Sequence, residues 1–517
     1  MRIAALVFSF ALFAAPALAD PNVTIAQGSL TGATDTGISV FKDIPFAAPP
    51  VGDLRWRAPQ PAPSWAATRD ATKFGPVCPQ GPHSGEAIIR ETHAESEDCL
   101  SLNVWTPSTT GKAPVMVWIY GGSFRFGSGA SALYDGTELA QHGVVVVTFN
   151  YRLGWLGFLD LPALASEHPG EPHGNYGLMD QIAALTWVQK NIAAFGGDPN
   201  NVTIFGESAG GMSVNDLMVA PPARGLFHKA ISESGLGLID TPSEAESQAA
   251  SADFAKRLVG DEAAADQLKD LRKRPLAAII RDELGRGGAA MTPMIDGTIL
   301  PDGVAKLFSQ GKTAHAAYMA GSNSNEATLR KALEMSDESL LSALGPHAAE
   351  VRKIYEADGK LDDHAFADLL FDDGLFASGA QGFAHYVAKT GEPGYVYHFR
   401  YIPDALRGRD AGVGHGGEIA FVFGLHGLAN NPSTAMLVSF VTDKDKTIVA
   451  QMQNYWTNFA KTGDPNGQSQ AQWPRSTVAA PVTLVVDDKI AAVPGFLSAR
   501  LAIIYANWTA RTGIAAP

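Results

Sequence analysis

Ser208 lies at the centre of the stretch Asn201–Gly211, which reads N-V-T-I-F-G-E-S-A-G-G. The first five residues have the apolar side chains of a short buried strand, and apolar residues after the serine recur at helical spacing as far as Pro221. A serine between a strand and a helix sits on a sharp turn that presents its hydroxyl. Side chains at Gly206 and Gly210 would collide with neighbouring backbone. The stretch predicts a nucleophilic serine, although G-x-S-x-G alone is a weak motif in a chain with 53 glycines.

A hydroxyl is a poor nucleophile near neutral pH, so it needs a base, and a histidine base needs a carboxylate to orient it. Among 13 histidines, His415 has the most distinctive surroundings, G-V-G-H-G-G-E-I-A-F-V-F-G. Glu326 follows an apolar strand and is a candidate for the carboxylate, but these residues alone do not exclude Asp296 or Asp302. The chain order serine, glutamate, histidine matches that of α/β-hydrolases.

The reaction also needs N–H groups that stabilise the developing oxyanion. The sequence Y-G-G-S-F over Tyr120–Phe124 directly follows a predicted strand. Small residues at a strand end free the backbone to turn its N–H groups towards a substrate, as in the glycine-rich loop of lipases and esterases. The alternative interpretation is an ordinary glycine turn.

The strands that position these residues are unusually apolar. Val115–Tyr120 and Val144–Phe149 are continuous apolar runs, which are typical of parallel strands buried on both faces. Apolar residues recur at helical spacing between Gly177 and Gly197. Helix, strand and nucleophile in this order predict an α/β fold with a mostly parallel central sheet flanked by helices.

Further along the chain we expect two helical insertions that cover the active site, at Thr241–Arg286 and Leu340–Phe376. Strands are predicted at Ala316–Ala320 and Tyr395–Tyr401, and a helix at Asp443–Lys461. The sequence contains no internal repeat and no clear linker. It therefore predicts a single domain over residues 20–517.

The N-terminus has the pattern of a signal peptide over residues 1–19. Arg2 precedes the apolar run Ile3–Pro16 and the small-x-small site Ala17–Ala19. An anchor helix is the alternative, but the run is shorter than the ~20 residues that span a bilayer. No later segment is long and apolar enough to span a membrane. We expect cleavage after Ala19 and a secreted or periplasmic protein.

Composition indicates a globular protein with a large core, because 46% of residues are hydrophobic and 18% are charged. A formal net charge of −14 argues against nucleic acid as a partner. Cys78 and Cys99 are the two cysteines of the chain. In an exported protein such a pair indicates a disulfide rather than two free thiols, and it is too small a set for a zinc site.

Four stretches in order resemble the type-B carboxylesterase/cholinesterase family of α/β-hydrolases. E-D-C-L-S-L-N-V-W-T-P at Glu97–Pro107 resembles the family's second signature, and F-G-E-S-A-G-G at Phe205–Gly211 resembles its serine signature. The run that begins H-G-G-E-I-A-F at His415 and the stretch Tyr455–Asn466 also match.

The resemblance implies specific roles for several residues. The implied catalytic triad is Ser208, Glu326 and His415. Three residues are expected to supply the N–H groups of an oxyanion hole: Gly122, Ser123 and Ala209. Two others match buried polar positions beside the triad: Ser234 and Glu418. The resemblance also supports the Cys78–Cys99 disulfide. It implies a small-molecule ester substrate and neither cofactor nor metal.

The chain departs from the family pattern at several positions. Ser123 stands where many relatives have glycine or alanine, and Asp43 stands where glycine is common. The loop between Cys78 and Cys99 contains no tryptophan. In cholinesterases that loop supplies the aromatic face that binds the choline cation, so choline esters are poor candidate substrates.

Phe124 and Arg125 follow the predicted oxyanion residues and are candidate substrate-binding residues. The resemblance implies that the position of Arg125 faces the gorge, as it does in cholinesterases. A guanidinium at the mouth would attract an ester that carries a carboxylate. The alternative is a solvated or salt-bridged Arg125 with a structural role.

These observations predict a serine carboxylesterase that works through an acyl-enzyme. A lipase or amide hydrolase with the same site is an alternative, and a non-catalytic cholinesterase-like binding protein is another. Acyl and alcohol specificity depends on the insertions, whose folding over the pocket one sequence does not fix.

Overall fold

The computed structural model describes residues 20–81, 93–261, 263–283, 291–357, 359–409, 411–432 and 434–517. The strands follow in chain order: β1 (Asn22–Ile25), β2 (Gly28–Thr31), β3 (Ala33–Asp35), β4 (Ile38–Pro45), β5 (Arg69–Asp70), β6 (Ser101–Thr106), β7 (Ala113–Ile119), β8 (Val145–Phe149), β9 (Gly197–Glu207), β10 (Lys229–Glu233), β11 (Ala317–Asn323), β12 (Gly394–Phe399), β13 (Val482–Val486) and β14 (Ala491–Pro494).

An 11-stranded mixed sheet forms the centre of the described part of the chain, in the order β14-β13-β12-β11-β10-β9-β7-β8-β6-β4-β3. The strands from β8 through β7, β9, β10, β11 and β12 to β13 are parallel to their neighbours. The remaining strands of this sheet pair in antiparallel fashion at its two edges. Strands β7 and β8 are buried, as their continuous apolar sequences predict.

Helices flank this sheet: α1 (Thr137–Gln141), α2 (Gly154–Phe158), α3 (Pro162–Glu167), α4 (Tyr176–Asn191), α5 (Ala209–Val219), α6 (Glu244–Val259), α7 (Ala264–Lys273), α8 (Leu276–Glu283), α9 (Val304–Ser309), α10 (Asp337–Ser342), α11 (Ala348–Tyr355), α12 (Asp363–Phe371), α13 (Ser378–Lys389), α14 (Ile419–Phe423), α15 (His426–Asn430), α16 (Ala435–Val438), α17 (Asp443–Thr462) and α18 (Ser498–Thr512). The predicted insertions correspond to α6–α8 and α10–α12, and a π-helical turn follows at Asp372–Ala377.

The strand predicted at Asn201–Phe205 forms, but it begins four residues earlier than the sequence predicts. The chain turns at Gly196, which has a left-handed φ of 74°, and β9 begins at Gly197. Gly197 pairs with Ala113 of β7, and a register shift accommodates the polar residues that follow. Backbone pairing along β7 therefore extends the strand into a sequence whose side chains favour a turn.

Cys78 and Cys99 are bonded, with 5.0 Å between their Cα atoms, as predicted. The predicted signal peptide at residues 1–19 lies outside the described residues, and its cleavage remains a prediction, as does the single domain over 20–517. No helix within the described ranges is long and apolar enough to cross a membrane.

Candidate active site

Ser208 occupies a sharp turn between β9 and α5. Its φ of 57° and ψ of −123° are unusual for a residue with a side chain, and its N–H donates to the carbonyl of Glu233 at 2.9 Å. A Cβ atom at Gly206 would lie 2.5 Å from the carbonyl oxygen of Ile119, and one at Gly210 would lie closer still. Both glycines are therefore required by close backbone approach, as the sequence predicts.

The parallel strands bring the other predicted residues to the same edge of the sheet. β7 ends before the Tyr120–Phe124 loop, β9 ends before Ser208, and β11 ends three residues before Glu326. The carboxyl ends of parallel strands meet at one edge, where α/β proteins place their ligands. His415 lies on a loop whose residue Gly414 pairs with Asn325, next to Glu326 in the chain.

Glu326 is fully buried and binds His415. Its Oε2 lies 2.6 Å from Nδ1 of the imidazole. Its Oε1 accepts from the Ser234 hydroxyl and from the backbone N–H of Asn323, each at 2.6 Å. These donors fix the carboxylate, so it can orient the histidine and stabilise its charged form.

Nε2 of His415 faces the nucleophile turn. It lies 3.1 Å from Oε1 of Glu207, the residue directly before Ser208. This distance suits an ion pair, but the angles do not form a hydrogen bond, and Nε2 has no hydrogen-bond partner among the described residues. In that same part of the chain the Ser208 hydroxyl makes no hydrogen bond either. The half-buried His415 therefore lies next to the residue that precedes the half-buried Ser208, and among the described residues no hydrogen bond joins the serine to the histidine.

Three buried carboxyl groups act on the charge of His415: Glu207, Glu326 and Glu418. A fourth buried carboxyl group, that of Glu233, interacts with Glu207 and Glu418. Glu418 accepts from the Asn323 amide at 2.5 Å, and Glu233 accepts from the indole N–H of Trp456 at 2.7 Å. Burial raises the pKa of Glu207, Glu233 and Glu418, and repulsion between the neighbouring carboxylates raises each pKa further. Each of these three carboxyl groups therefore binds its proton more tightly than an exposed glutamate does.

The same negative charges raise the pKa of His415, because they stabilise its protonated form. Burial alone would lower it, but the carboxylates of Glu207 and Glu326 outweigh burial and raise the pKa to about 9. A proton on Glu207 removes one of these two charges. The imidazole and Glu207 therefore titrate as a coupled pair, and the neutral imidazole needed for base catalysis is favoured when Glu207 carries a proton.

The predicted oxyanion loop has backbone angles that fit its proposed task. Gly122, Ser123 and Phe124 all have positive φ, at 104°, 55° and 59°. A Cβ atom at Gly122 would collide with the carbonyl oxygen of Phe126. No backbone carbonyl of the described residues accepts from the N–H of Gly122 or Ser123. The N–H of Ala209, as the first residue of α5, belongs to the unpaired donors of a helix N-terminus.

The two residues after Ser123 differ in environment. Phe124 is 1% exposed and packs edge-on against Phe158, with 5.3 Å between ring centroids. Arg125 is half-buried, and its guanidinium donates to the carbonyl of Glu283 at 2.5 Å. This contact fits the structural alternative for Arg125, and substrate binding by either residue remains a prediction.

Sequence reasoning found Ser234 and Glu418 but missed Glu207, Glu233, Asn323 and Trp456. The signals for these four residues are weak, because each lies at a strand end or within a helix whose neighbours are also polar or aromatic. Their roles depend on the sheet register, which pairs Glu207 with Glu233.

Elsewhere in the described ranges, one group of side chains has the composition of a metal site: Asp160, His173 and Glu244. Asp160 Oδ1 lies 2.6 Å from His173 Nδ1, so a hydrogen bond between them accounts for the contact. The pKa shifts of Glu207, Glu233, Glu418 and His415 come from burial and from other residues. The predicted lack of a cofactor or metal remains a prediction.

A mostly parallel sheet, a serine at a strand-to-helix turn and a histidine paired with a buried glutamate define the class of α/β-hydrolases. Within that class, the chain matches the model of the carboxylesterase family over residues 19–493. The protein belongs to the carboxylesterase family and is a carboxylic ester hydrolase.

Similar proteins include two bacterial esterases. The para-nitrobenzyl esterase of Bacillus subtilis is 38% identical over 90% of this chain and 95% of its own. The fumonisin B1 esterase of Sphingopyxis macrogoltabida is 38% identical over 88% of this chain and 85% of its own. The structure of a thermophilic PNB esterase superposes with a TM-score of 0.80 at 33% identity, covering 94% of this chain and 99% of the other. The α/β-hydrolase fold predicted from the sequence is confirmed.

Proposed function

We propose that the protein hydrolyses small-molecule carboxylic esters through an acyl-enzyme formed on Ser208. The Ser208 hydroxyl attacks the ester carbonyl while His415 accepts its proton. His415 then donates that proton to the departing alcohol, and Glu326 stabilises the imidazolium. A water molecule, activated by the same histidine, releases the acid and restores the serine.

The observation that carries this proposal is the buried Glu326–His415 contact of 2.6 Å beside a serine on a strained turn. The positive-φ loop at Gly122 and Ser123, together with Ala209, would supply the N–H groups for the tetrahedral oxyanion. Ser234 would hold Glu326 in place through its hydroxyl. Glu418 would do so less directly, through Asn323.

Two of the similar proteins are named for their ester substrates. The chain is as similar to an esterase named for a para-nitrobenzyl ester as to one named for fumonisin B1. Sequence identity alone therefore does not choose between the two substrates that these names specify. A carboxylate-bearing ester is favoured if the Arg125 guanidinium contacts substrate, and lipase or amidase activity on the same site is the second candidate. The Cys78–Cys99 disulfide supports a secreted or periplasmic location.

A turnover panel tests this function. Wild-type protein is assayed with chromogenic esters of increasing acyl length and with matched anilides and long-chain triglycerides. We expect preference for short, soluble esters and loss of activity after treatment with an organophosphate that esterifies active serines. Preference for emulsified triglycerides or for anilides would support the second candidate instead, and activity that survives the organophosphate would contradict the serine mechanism.

A further inference from the structure

Gln80 connects the disulfide region to the predicted oxyanion loop. It lies two residues after Cys78 and is only 3% exposed. Its side-chain oxygen accepts from the N–H of Gly127 at 2.8 Å, and its side-chain nitrogen donates to the carbonyl of Gly127 at 3.0 Å. The same nitrogen donates to the carbonyl of Cys78 at 3.1 Å. One amide therefore pairs with both backbone groups of a single residue.

Gly127 in turn packs against the start of the loop. Its φ is 112°, and a Cβ atom there would lie 2.6 Å from the ring of Tyr120 and 2.9 Å from the carbonyl oxygen of Gly121. Gly127 thus touches the residues directly before Gly122. The Gln80 amide holds Gly127 in place. It therefore also holds the contact between Gly127, where the loop ends, and Tyr120 and Gly121, where the loop begins.

The loop between these ends is held by hydrogen bonds of its backbone. The N–H of Gly154 donates to the carbonyl of Phe124 at 2.8 Å. The N–H groups of Arg125 and Phe126 both donate to the carbonyl of Gly122, at 2.9 and 3.1 Å, which closes one tight turn. Ser123 and Phe124 are held at positive φ within it. Non-glycine residues keep such angles only when their surroundings impose them.

The residues after Gly127 are fixed to the same disulfide. Asn150 accepts from the N–H of Gly129 at 2.9 Å and donates to the carbonyl of Cys99 at 3.1 Å. The Gln80 amide therefore links the carbonyl of Cys78 to Gly127, and the Asn150 amide links the carbonyl of Cys99 to Gly129.

We propose that Gln80 is a positioning residue for the oxyanion hole, acting through Gly127 on the N–H groups of Gly122 and Ser123. This inference rests on the proposed function. Gln80 does not touch the reacting atoms, so its loss should leave substrate binding intact and weaken stabilisation of the tetrahedral oxyanion.

The test compares Gln80→Leu with wild type for three quantities: KM, kcat and the inhibition constant of a trifluoromethyl ketone. Such a ketone adds to an active serine and places an oxyanion in the hole. Displacement of catalytic groups by about 1 Å can cost up to about a hundredfold, so we expect kcat to fall about tenfold or more. KM should change less than about twofold, and affinity for the ketone should fall with kcat.

Gln189→Leu is the matched control, because the Gln189 amide also donates to two backbone carbonyls, those of Pro199 and Leu226, at 2.8 and 2.9 Å. It should lower the melting temperature without the selective loss of ketone affinity. If Gln80→Leu does not fold, Gln80→Asn carries the test, since it keeps the amide but retracts it by one methylene.

The outcomes separate this inference from the proposed function. Stoichiometric labelling of wild-type Ser208 by an organophosphate is measured first, and failure there overturns the proposed function. If Ser208 is labelled but the Gln80 variants keep wild-type kcat and ketone affinity, the positioning role is overturned. The positioning role is also overturned if the Gln80 variants lose activity only in proportion to the fraction of the protein that is folded.

Discussion

Nε2 of His415 lies 3.1 Å from Oε1 of Glu207, the residue that directly precedes the nucleophile. The imidazole therefore has a carboxyl group on each side, because its Nδ1 contacts Glu326 at 2.6 Å. Two negative charges around one imidazolium favour the charged form of the histidine. This arrangement determines the pH range in which His415 can act as a base.

We expect Glu207→Gln to move the acid limb of the pH profile of kcat/KM to lower pH. Glu207 raises the pKa of His415, so its neutralisation lowers that pKa and keeps the imidazole neutral in more acidic solution. An adjacent opposite charge typically shifts a pKa by about 1–3 units, and the limb should move by an amount in that range. The exposed Glu350→Gln serves as a control for net charge. An unchanged limb would show that Glu207 is neutral or distant from His415 in the working enzyme.

Removing the disulfide should destabilise the protein. Cys78 and Cys99 are 21 positions apart, and closing a loop of this size contributes roughly 3 kcal/mol in the chain-entropy model. The double variant Cys78→Ser, Cys99→Ser should lose about that much free energy of unfolding in urea. Thiol titration of denatured, unreduced wild type should find no free sulfhydryl. Two free thiols, or equal stability of the variant, would contradict this prediction.

Arg125→Ala distinguishes the two roles proposed for the guanidinium. If Arg125 binds a substrate carboxylate, kcat/KM for an anionic ester should fall about ten- to a hundredfold, since a charged hydrogen bond contributes ~1.5–3 kcal/mol. A neutral ester of equal size should change little. Arg125→Lys is the matched variant, because it keeps the charge but lacks the planar fork. Equal losses for both esters would indicate that the contact with Glu283 is structural.

The parts of the fold that depend on local pattern were predictable. The helix Asp443–Thr462 begins with a capping box at Thr442 and ends at Gly463, so its sequence alone places both ends within one residue. The strand β7 and the turn at Ser208 were predictable for a similar reason, because continuous apolar residues and required glycines are read directly from the chain.

Elements whose stability comes from distant partners were not predicted. The short strands β1–β3 and the helix α18 have weak patterns of their own, and they form where other elements cover them. The same reason explains the missed site residues. Glu207 is next to the nucleophile in sequence, but its approach to His415 depends on a contact across 208 positions of chain, which no local pattern encodes.

In the proposed reaction the acyl group of the ester is transferred to Ser208 before water releases it. The most direct measurement is rapid quenching of the enzyme with a slowly deacylating chromogenic ester, followed by mass spectrometry of the peptide that contains Ser208. We predict a burst in which each active site releases one molecule of alcohol. We also predict that Ser208 gains the mass of the acyl group. In Ser208→Ala both should be absent, and kcat should fall by about 10⁴-fold or more. Near-normal kcat in Ser208→Ala, or an acyl group on another residue, would contradict the account.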